Sequence, residues 1–292
     1  MSDKWIFEHR CDIISIIVYK WLRKKVLLED EYKRWGERSK TCVMEKTRLN
    51  KYLADCGLCS RREADRYIEE RRVSVNGKTA LAGMRVSDED CICVDGKPVS
   101  GQNKKVVLAY YKPAGVTCTE KDKFAEKTIR EAVSYPVRVT YAGRLDKDSE
   151  GLLLLTNDGD LIQRMMKASQ YHEKEYIVKV RRELSEAFIK KMSEGVYLKE
   201  LGQTTRPCKV VQEGKYTFRI VLTQGLNRQI RRMCMALGQE VSALKRIRVL
   251  NIELGSLPKG TYREVTGEEL AELYRRASKA EQAGHGHSIN RK

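Results

Sequence analysis

The sequence has no apolar run near the roughly 20 residues that a membrane-spanning helix needs, and no lipidation motif takes its place. The apolar patch from Cys11 to Leu22 is too short to cross a bilayer, and Asp3 and Glu8, with no small-residue cleavage site, argue against a secretory signal. Negative charge is in deficit: 57 lysines and arginines face 40 acidic residues, for a net charge of +17. Such an excess favours a polyanionic partner, because each phosphate neutralised releases condensed counterions. With no membrane feature to compete, RNA is the simpler polyanion. Nine cysteines, an odd and scattered set, point to reduced thiols in a cytoplasmic protein rather than to disulfides. Cys56 and Cys59 have zinc-like spacing, yet Cys91 and Cys93 have one intervening residue instead of two, and Cys56 fits an apolar helix stripe with Leu49, Tyr52 and Leu53. His285 and His287 complete no metal set, so no metal is expected. Coiled-coil heptads are missing too, and a monomer is the default.

At 292 residues, 41% of them hydrophobic, the chain has room for two domains. Residues 1–46 differ from the rest and read as an N-terminal extension, with Met44 a candidate translation start. Residues 47–105 form a small basic module. In it, Leu49, Tyr52, Leu53 and Cys56 recur at helical spacing, Ser60-Arg61-Arg62-Glu63 offers a capping box for a second helix, and Asn76-Gly77 closes a hairpin after Val73-Ser74-Val75. Its Arg48, Lys51, Arg61, Arg62 and Arg66 are candidate RNA contacts. Residues 106–276 carry strands at 106–111, 152–156, 176–180 and 216–223 and helices at 184–196 and 227–237, without regular βαβ repetition. That pattern predicts an α+β domain on a mainly antiparallel sheet. Residues 277–292 are polar and are expected to form a disordered tail.

The segment Gly143-Arg144-Leu145-Asp146-Lys147-Asp148-Ser149-Glu150-Gly151 runs straight into Leu152-Leu153-Leu154-Leu155-Thr156-Asn157-Asp158-Gly159. Four leucines suit a strand buried on both faces, so the glycine-flanked loop before it is anchored to the core. An aspartate held there beside Arg144 is either a positioned nucleophile or base, or a turn residue capping local amides. On a helix from Asn227, Ile230, Met233, Cys234 and Leu237 share one side, while Arg228, Arg231 and Arg232 share the other. Those arginines suit phosphates or a carboxylate. Tyr176 alternates with Val178 and Val180 and needs no explanation beyond a sheet.

The GRLDKDSEGLLLLTNDGDL string resembles the active-site motif of the RsuA/RluB/RluE/RluF family of rRNA pseudouridine synthases. The likeness extends to Tyr111-Lys112-Pro113-Ala114-Gly115-Val116, to His172-Glu173-Lys174-Glu175-Tyr176, and to Gly225-Leu226-Asn227-Arg228-Gln229-Ile230-Arg231-Arg232-Met233, all in the family's order. Lys147-Asp148-Ser149 and the His-Glu-Lys-Glu-Tyr string look closest to the RluF branch, which modifies 23S rRNA. Residues 48–78 resemble the S4 RNA-binding domain. The resemblance implies an α+β fold in which a small S4 (αL-type) domain precedes a pseudouridine synthase domain with a mainly antiparallel mixed sheet. It also implies Asp146 as the catalytic aspartate, Arg231 as the arginine paired with it, and Tyr176 as the tyrosine that stacks on the flipped base. Arg144, Arg228 and Arg232 join the RNA-binding candidates, and Lys112-Pro113 is taken to shape the domain rather than to do chemistry.

Isomerising uridine to pseudouridine moves the sugar bond from N1 to C5 without releasing the base, so it needs no cofactor. The expected partner is rRNA, 23S above others, free or in a pre-ribosomal particle. A noncatalytic RNA-binding or ribosome-assembly factor is the alternative, since S4 modules also serve proteins that only bind. Glycoside hydrolysis by Asp146 and Asp148 is disfavoured, because two residues apart on a loop does not establish the carboxylate separation that chemistry requires.

Overall fold

The structure is a computed structural model that describes residues 46–99, 104–119, 127–167 and 171–284; the N-terminal extension with Met44, and the last eight residues, lie outside them.

The N-terminal module opens with β1 (Thr47–Arg48), α1 (Leu49–Asp55) and α2 (Arg61–Glu69). The predicted capping box starts α2: the Ser60 hydroxyl accepts from the Glu63 amide at 3.2 Å, and the Glu63 carboxylate accepts from the Ser60 amide at 3.0 Å. Five short strands follow, β2 (Val73–Val75), β3 (Lys78–Thr79), β4 (Arg85–Val86), β5 (Ile92–Val94) and β6 (Lys97–Pro98). They pair as an antiparallel sheet β3-β2-β5-β6 and a separate β1-β4 pair. Asn76 and Gly77, at φ 51° and 77°, form the predicted tight turn. Leu49, Leu53, Ala64, Ile68 and Val73 close its core.

The second domain comprises β7 (Val107–Lys112), α3 (Ile129–Ala132), β8 (Thr140–Tyr141), β9 (Glu150–Thr156), α4 (Gly159–Met166), β10 (Lys174–Val180), α5 (Glu186–Glu194), β11 (Tyr197–Leu198) and β12 (Gln203–Thr204). It continues through β13 (Lys209–Gly214), β14 (Thr217–Leu222), α6 (Gln229–Ala236), β15 (Val241–Val249), β16 (Ile252–Glu253), β17 (Tyr262–Glu264) and α7 (Gly267–Gly284). The four predicted strands and two predicted helices correspond to β7, β9, β10, β14, α5 and α6, within two residues at each end.

One sheet in the order β13-β14-β10-β15-β9-β7-β17 carries the domain, with β16 added to β15 and β8 to β9. Every pairing in it is antiparallel except that of β9 with β15, which consists of Lys245 opposite Glu150 and Arg246 opposite Gly151. This parallel seam joins two antiparallel halves. The leucine run of β9 is covered on both faces, as an unbroken apolar strand requires. Leu152 and Leu154 face α4 and α7 with Leu161, Met165 and Leu273, while Leu153 and Leu155 face Val116, Ile129 and Leu145. Each leucine buried this way is worth roughly 1.5–3 kcal/mol. In the other half, Val178, Phe218 and Ile220 pack against Phe188 and Met192 of α5 and Ile230 and Met233 of α6.

Two elements depart from the sequence pattern. Strand β15 reads Val-Ser-Ala-Leu-Lys-Arg-Ile-Arg-Val and was not legible as a strand, because its inward position 246 is an arginine that the fold buries. The chain from 277, expected as a disordered tail, stays helical to Gly284 in α7, and Ala277 is fully buried. Leu270, Leu273, Tyr274 and Ala277 recur at 3, 1 and 3 residues, keeping one face on the core.

At the seam, Gly151 has φ +109°, and a Cβ there would lie 2.2 Å from the Arg246 carbonyl oxygen and 2.7 Å from its amide nitrogen. Gly151→Ala therefore combines backbone strain with a collision against backbone, and should cost about 3 kcal/mol or more. Gly143 has φ +93° but its nearest neighbour would be the Met166 sulfur at 4.0 Å, so Gly143→Ala should cost about 1–3 kcal/mol from strain alone. Urea unfolding of the two variants beside the wild type tests the ranking; equal midpoints for both would contradict it.

Candidate active site

Asp146 stands on the loop between β8 and β9, and buried donors hold that loop from three directions. Lys112, fully buried at the end of β7, donates its ammonium to the carbonyls of Pro113 at 2.7 Å, Val116 at 2.8 Å and Lys147 at 3.5 Å. The Gly115 amide donates to the same Lys147 carbonyl at 2.7 Å. This gives the Lys112-Pro113 motif a structural task, since it ties the turn after β7 to the residue following Asp146. From β15, the buried Arg246 donates Nη1 to the Arg144 carbonyl at 3.3 Å and Nε to Leu152 at 2.7 Å. The Leu145 amide points at the Cys118 sulfur at 3.4 Å, and the Ser149 amide donates to the Asp146 carbonyl at 3.1 Å. Leu145 and Ser149 are buried, whereas the Asp146 side chain keeps 32% of its exposure. The loop is fixed and its carboxylate is presented.

The arginines approach from α6. Arg228 precedes the helix with φ 50° and grips the Asp148 carboxylate with two hydrogen bonds of 3.2 and 3.0 Å, while its Nη1 lies 3.8 Å from an Asp146 oxygen. Arg231 donates to the Asp148 carbonyl at 3.1 Å and the Ser149 hydroxyl at 3.3 Å, and stands 3.3 Å from the Asp148 carboxylate. The arginine expected beside Asp146 is thus engaged two and three residues along the loop, and of the two Arg228 is nearer Asp146. The reason is where the helix begins: with Gln229 as its first residue, Arg228 projects from the left-handed turn ahead of it. Arg232 does not share this work. It donates to the Asn227 carbonyl at 3.0 Å and forms an ion pair with Glu200.

A cavity of about 410 Å³ opens over the loop, within the usual range for small-molecule sites. Arg144, Asp146, Tyr176 and Arg228 line it, as do Lys174 and Arg246, which sequence reasoning did not single out. Tyr176 faces Arg246 directly across the β10–β15 ladder, and Lys174 lies two residues before it on the same face of β10. The alternation of Lys174 with Tyr176 was a signal for Lys174, though none existed for Arg246. Burial, with the charge of Arg246, pushes the Lys174 ammonium down to about 8. Burial likewise lowers Lys112. For Asp148 burial pushes the carboxyl up, but the Arg228 hydrogen bonds and the charges of Arg231 and Arg228 outweigh it and hold it below the ordinary range.

The basic residues of the N-terminal module stand apart from this cavity. Arg48, Arg61, Arg62 and Arg66 are exposed. Lys51, another of the candidate RNA contacts, donates to both carboxylate oxygens of Asp160 on α4 at 2.8 and 2.9 Å, which fastens the module to the second domain. Among the described residues, no three histidine, cysteine, aspartate or glutamate side chains cluster as metal ligands, and no helix is long and apolar enough to cross a membrane.

A family model described as RNA pseudouridylate synthase matches residues 106–236, and one described as S4 domain matches residues 47–92. The chain is 45% identical over 230 residues to the dual-specificity RNA pseudouridine synthase RluF of Escherichia coli strain K12, covering 78% of each. The chain belongs to the RsuA/RluB/RluE/RluF family of RNA pseudouridine synthases. It is also 37% identical over 228 residues to the ribosomal large subunit pseudouridine synthase B of Vibrio cholerae, covering 75% of this chain and 71% of that one. A solved pseudouridylate synthase is similar with a TM-score of 0.57 and 29% identity, covering 77% of this chain and 99% of its own. The family's reaction, isomerisation of uridine to pseudouridine in RNA, is the activity of this enzyme, and its α+β fold with an S4 module is the architecture expected from the sequence.

The Asp148 clamp makes a pH prediction. A carboxyl held below its unfolded value stabilises the fold fully above that value, about pH 4, and the contribution is lost as pH falls through the folded value. Asp148→Asn removes it throughout, so the variant should melt lower than the wild type at pH 7 and the difference should shrink below about pH 4. A difference that persists unchanged at pH 2.5–3 would show that the clamp does not depend on the carboxylate charge.

Proposed function

We propose that this enzyme converts a uridine of ribosomal RNA, most directly 23S rRNA, to pseudouridine in the cytoplasm, acting as a monomer. The observation that carries the site is Asp146: a carboxylate presented into the cavity by a loop whose backbone is pinned by Lys112 and Arg246. The large-subunit and dual-specificity RNA named for its relatives supports the substrate class. In this reading Asp146 acts at the sugar, whether by attack at C1′ or by removal of the 2′ proton, while Tyr176 stacks on the extruded base. Arg228 and Arg231 hold the loop through Asp148 and supply positive charge beside the carboxylate. Pre-set charge of this kind needs no rearrangement as the glycosidic bond opens.

A uridine in a helix must leave its stack before its C1′ can reach Asp146, at a cost of a few kcal/mol. The N-terminal module supports that step by gripping neighbouring phosphates with Arg48, Arg61, Arg62 and Arg66, and Arg144 marks the cavity mouth. Replacing Arg62 and Arg66 together by alanine should weaken RNA binding and flatten its dependence on salt by roughly one log unit per lost contact. An unchanged salt slope would remove these two from the interface.

Release of tritium from RNA labelled at uridine C5 tests the activity. Stoichiometric release from 23S transcripts by the wild type, and none by Asp146→Asn, is the expected result. Release only from 16S rRNA or tRNA would overturn the substrate assignment, and undiminished release by Asp146→Asn would overturn the assignment of the carboxylate.

A further inference from the structure

The sheet side of the cavity is cationic, and its two cations are in no ion pair among the described residues. Lys174 and Arg246 both line it, Arg246 opposite Tyr176 in the β10–β15 ladder and Lys174 two residues before Tyr176. Arg246 is 2% exposed; its Nε and Nη1 serve the Leu152 and Arg144 carbonyls, and its Nη2 is buried without a hydrogen-bond partner among the described residues. Among the described residues Lys174 donates only to the His172 carbonyl, at 3.2 Å. Neither forms an ion pair with a carboxylate among the described residues, although Arg228, Arg231 and Arg248 do. A buried cation beside a half-buried one, with no carboxylate in ion-pair contact with either, is costly. A ligand that brings negative charge to this wall relieves that cost.

Uridine itself is neutral at the ring, but its isomerisation is not neutral throughout. When C1′–N1 breaks, the bonding pair leaves with the base, and the detached uracil carries a negative charge shared among N1, O2 and O4. The ring turns, C5 joins C1′, the C5 proton departs and N1 takes up a proton, so no atom or electron is gained overall. A binding wall for that transient anion must sit where the base sits, beside the tyrosine that stacks on it. We propose, resting on the reading of Asp146 and Tyr176 above, that Lys174 and Arg246 form a subsite for the detached uracil anion, hydrogen-bonding its charged oxygens between bond cleavage and rejoining. Lys174 is then a catalytic residue of the reaction, and Arg246 joins the subsite to the loop that carries Asp146. The arrangement matches an oxyanion hole in principle: fixed donors aimed where charge develops and not where the ground state has it.

The test uses the full-length enzyme, the C5-tritiated transcript that the wild type turns over, and single-turnover conditions. Lys174→Met should bind RNA as the wild type does and melt as it does, yet isomerise about 100-fold more slowly, the usual loss for one such donor. Lys174→Arg, which restores a cation, should recover part of that rate. A Met variant as fast as the wild type, or one that loses RNA affinity while its rate at saturation is unchanged, would overturn the proposal; the latter outcome would mean a phosphate grip. A second measurement does not depend on any variant folding. 5-Nitrouracil, which is anionic near neutral pH, should inhibit the wild type more strongly than uracil, and inhibition no stronger than uracil's would count against the subsite. A wild type inactive on every RNA would fail the functional reading itself, whereas an active wild type matched by Lys174→Met would fail only this inference.

Discussion

The backbones of Gly151 and Arg246 meet so closely that no side chain fits between them, and the two halves of the central sheet join there. Almost everything at the site follows from that approach. Because β9 is pinned alongside β15, the loop entering β9 is delivered to the same place as the inward side chain of Arg246. That guanidinium can then reach both the Leu152 carbonyl inside the strand and the Arg144 carbonyl outside it. Strand pairing between β10 and β15 adds Tyr176 to the same wall. A glycine at one position thus places a carboxylate, a tyrosine, the buried Arg246 and the half-buried Lys174 around one cavity.

Burying cations is expensive unless their donors are satisfied, and the way this protein satisfies them explains the rigidity of the site. Lys112 spends its ammonium on three carbonyls, one of them at the residue after Asp146. Arg231 spends part of its guanidinium on the backbone of Asp148. These are main-chain contacts, so they constrain the path of the loop and not merely the rotamer of one residue. Leaving a buried carbonyl unmet costs about 1–3 kcal/mol, and the loop carbonyls of Arg144, Asp146, Lys147 and Asp148 are all met. Asp146 is the exposed point of an otherwise anchored segment. The arrangement supports chemistry in which a carboxylate must already be in place when the nucleotide arrives.

The parts of this organisation that are local in sequence were legible. The glycines around residues 143–151 and the four leucines after them require a fixed loop and a strand covered on both faces, and β9 has that character. The capping box at Ser60 and the Asn76-Gly77 turn are equally local, and both formed as read. What depends on side-chain direction was not legible. Whether Arg228 or Arg231 lies nearer Asp146 turns on the first residue of α6, a boundary that periodicity locates only to within a residue or two. Arg246 gave no signal, because a buried arginine in a strand looks like a solvated one until the neighbouring strands are known. The bond of Lys51 to Asp160, a partner 109 residues away, had no signal in the sequence either.

Hydrogen exchange at single-amide resolution on the unliganded protein tests most directly whether the loop is pinned before RNA arrives. The amides of Gly115, Leu145 and Ser149 should exchange nearly as slowly as those inside β9, since each is hydrogen-bonded within the knot that holds Asp146. Exchange at the rate of an exposed loop would contradict the account, because the carboxylate would then be positioned by its substrate and not by the fold.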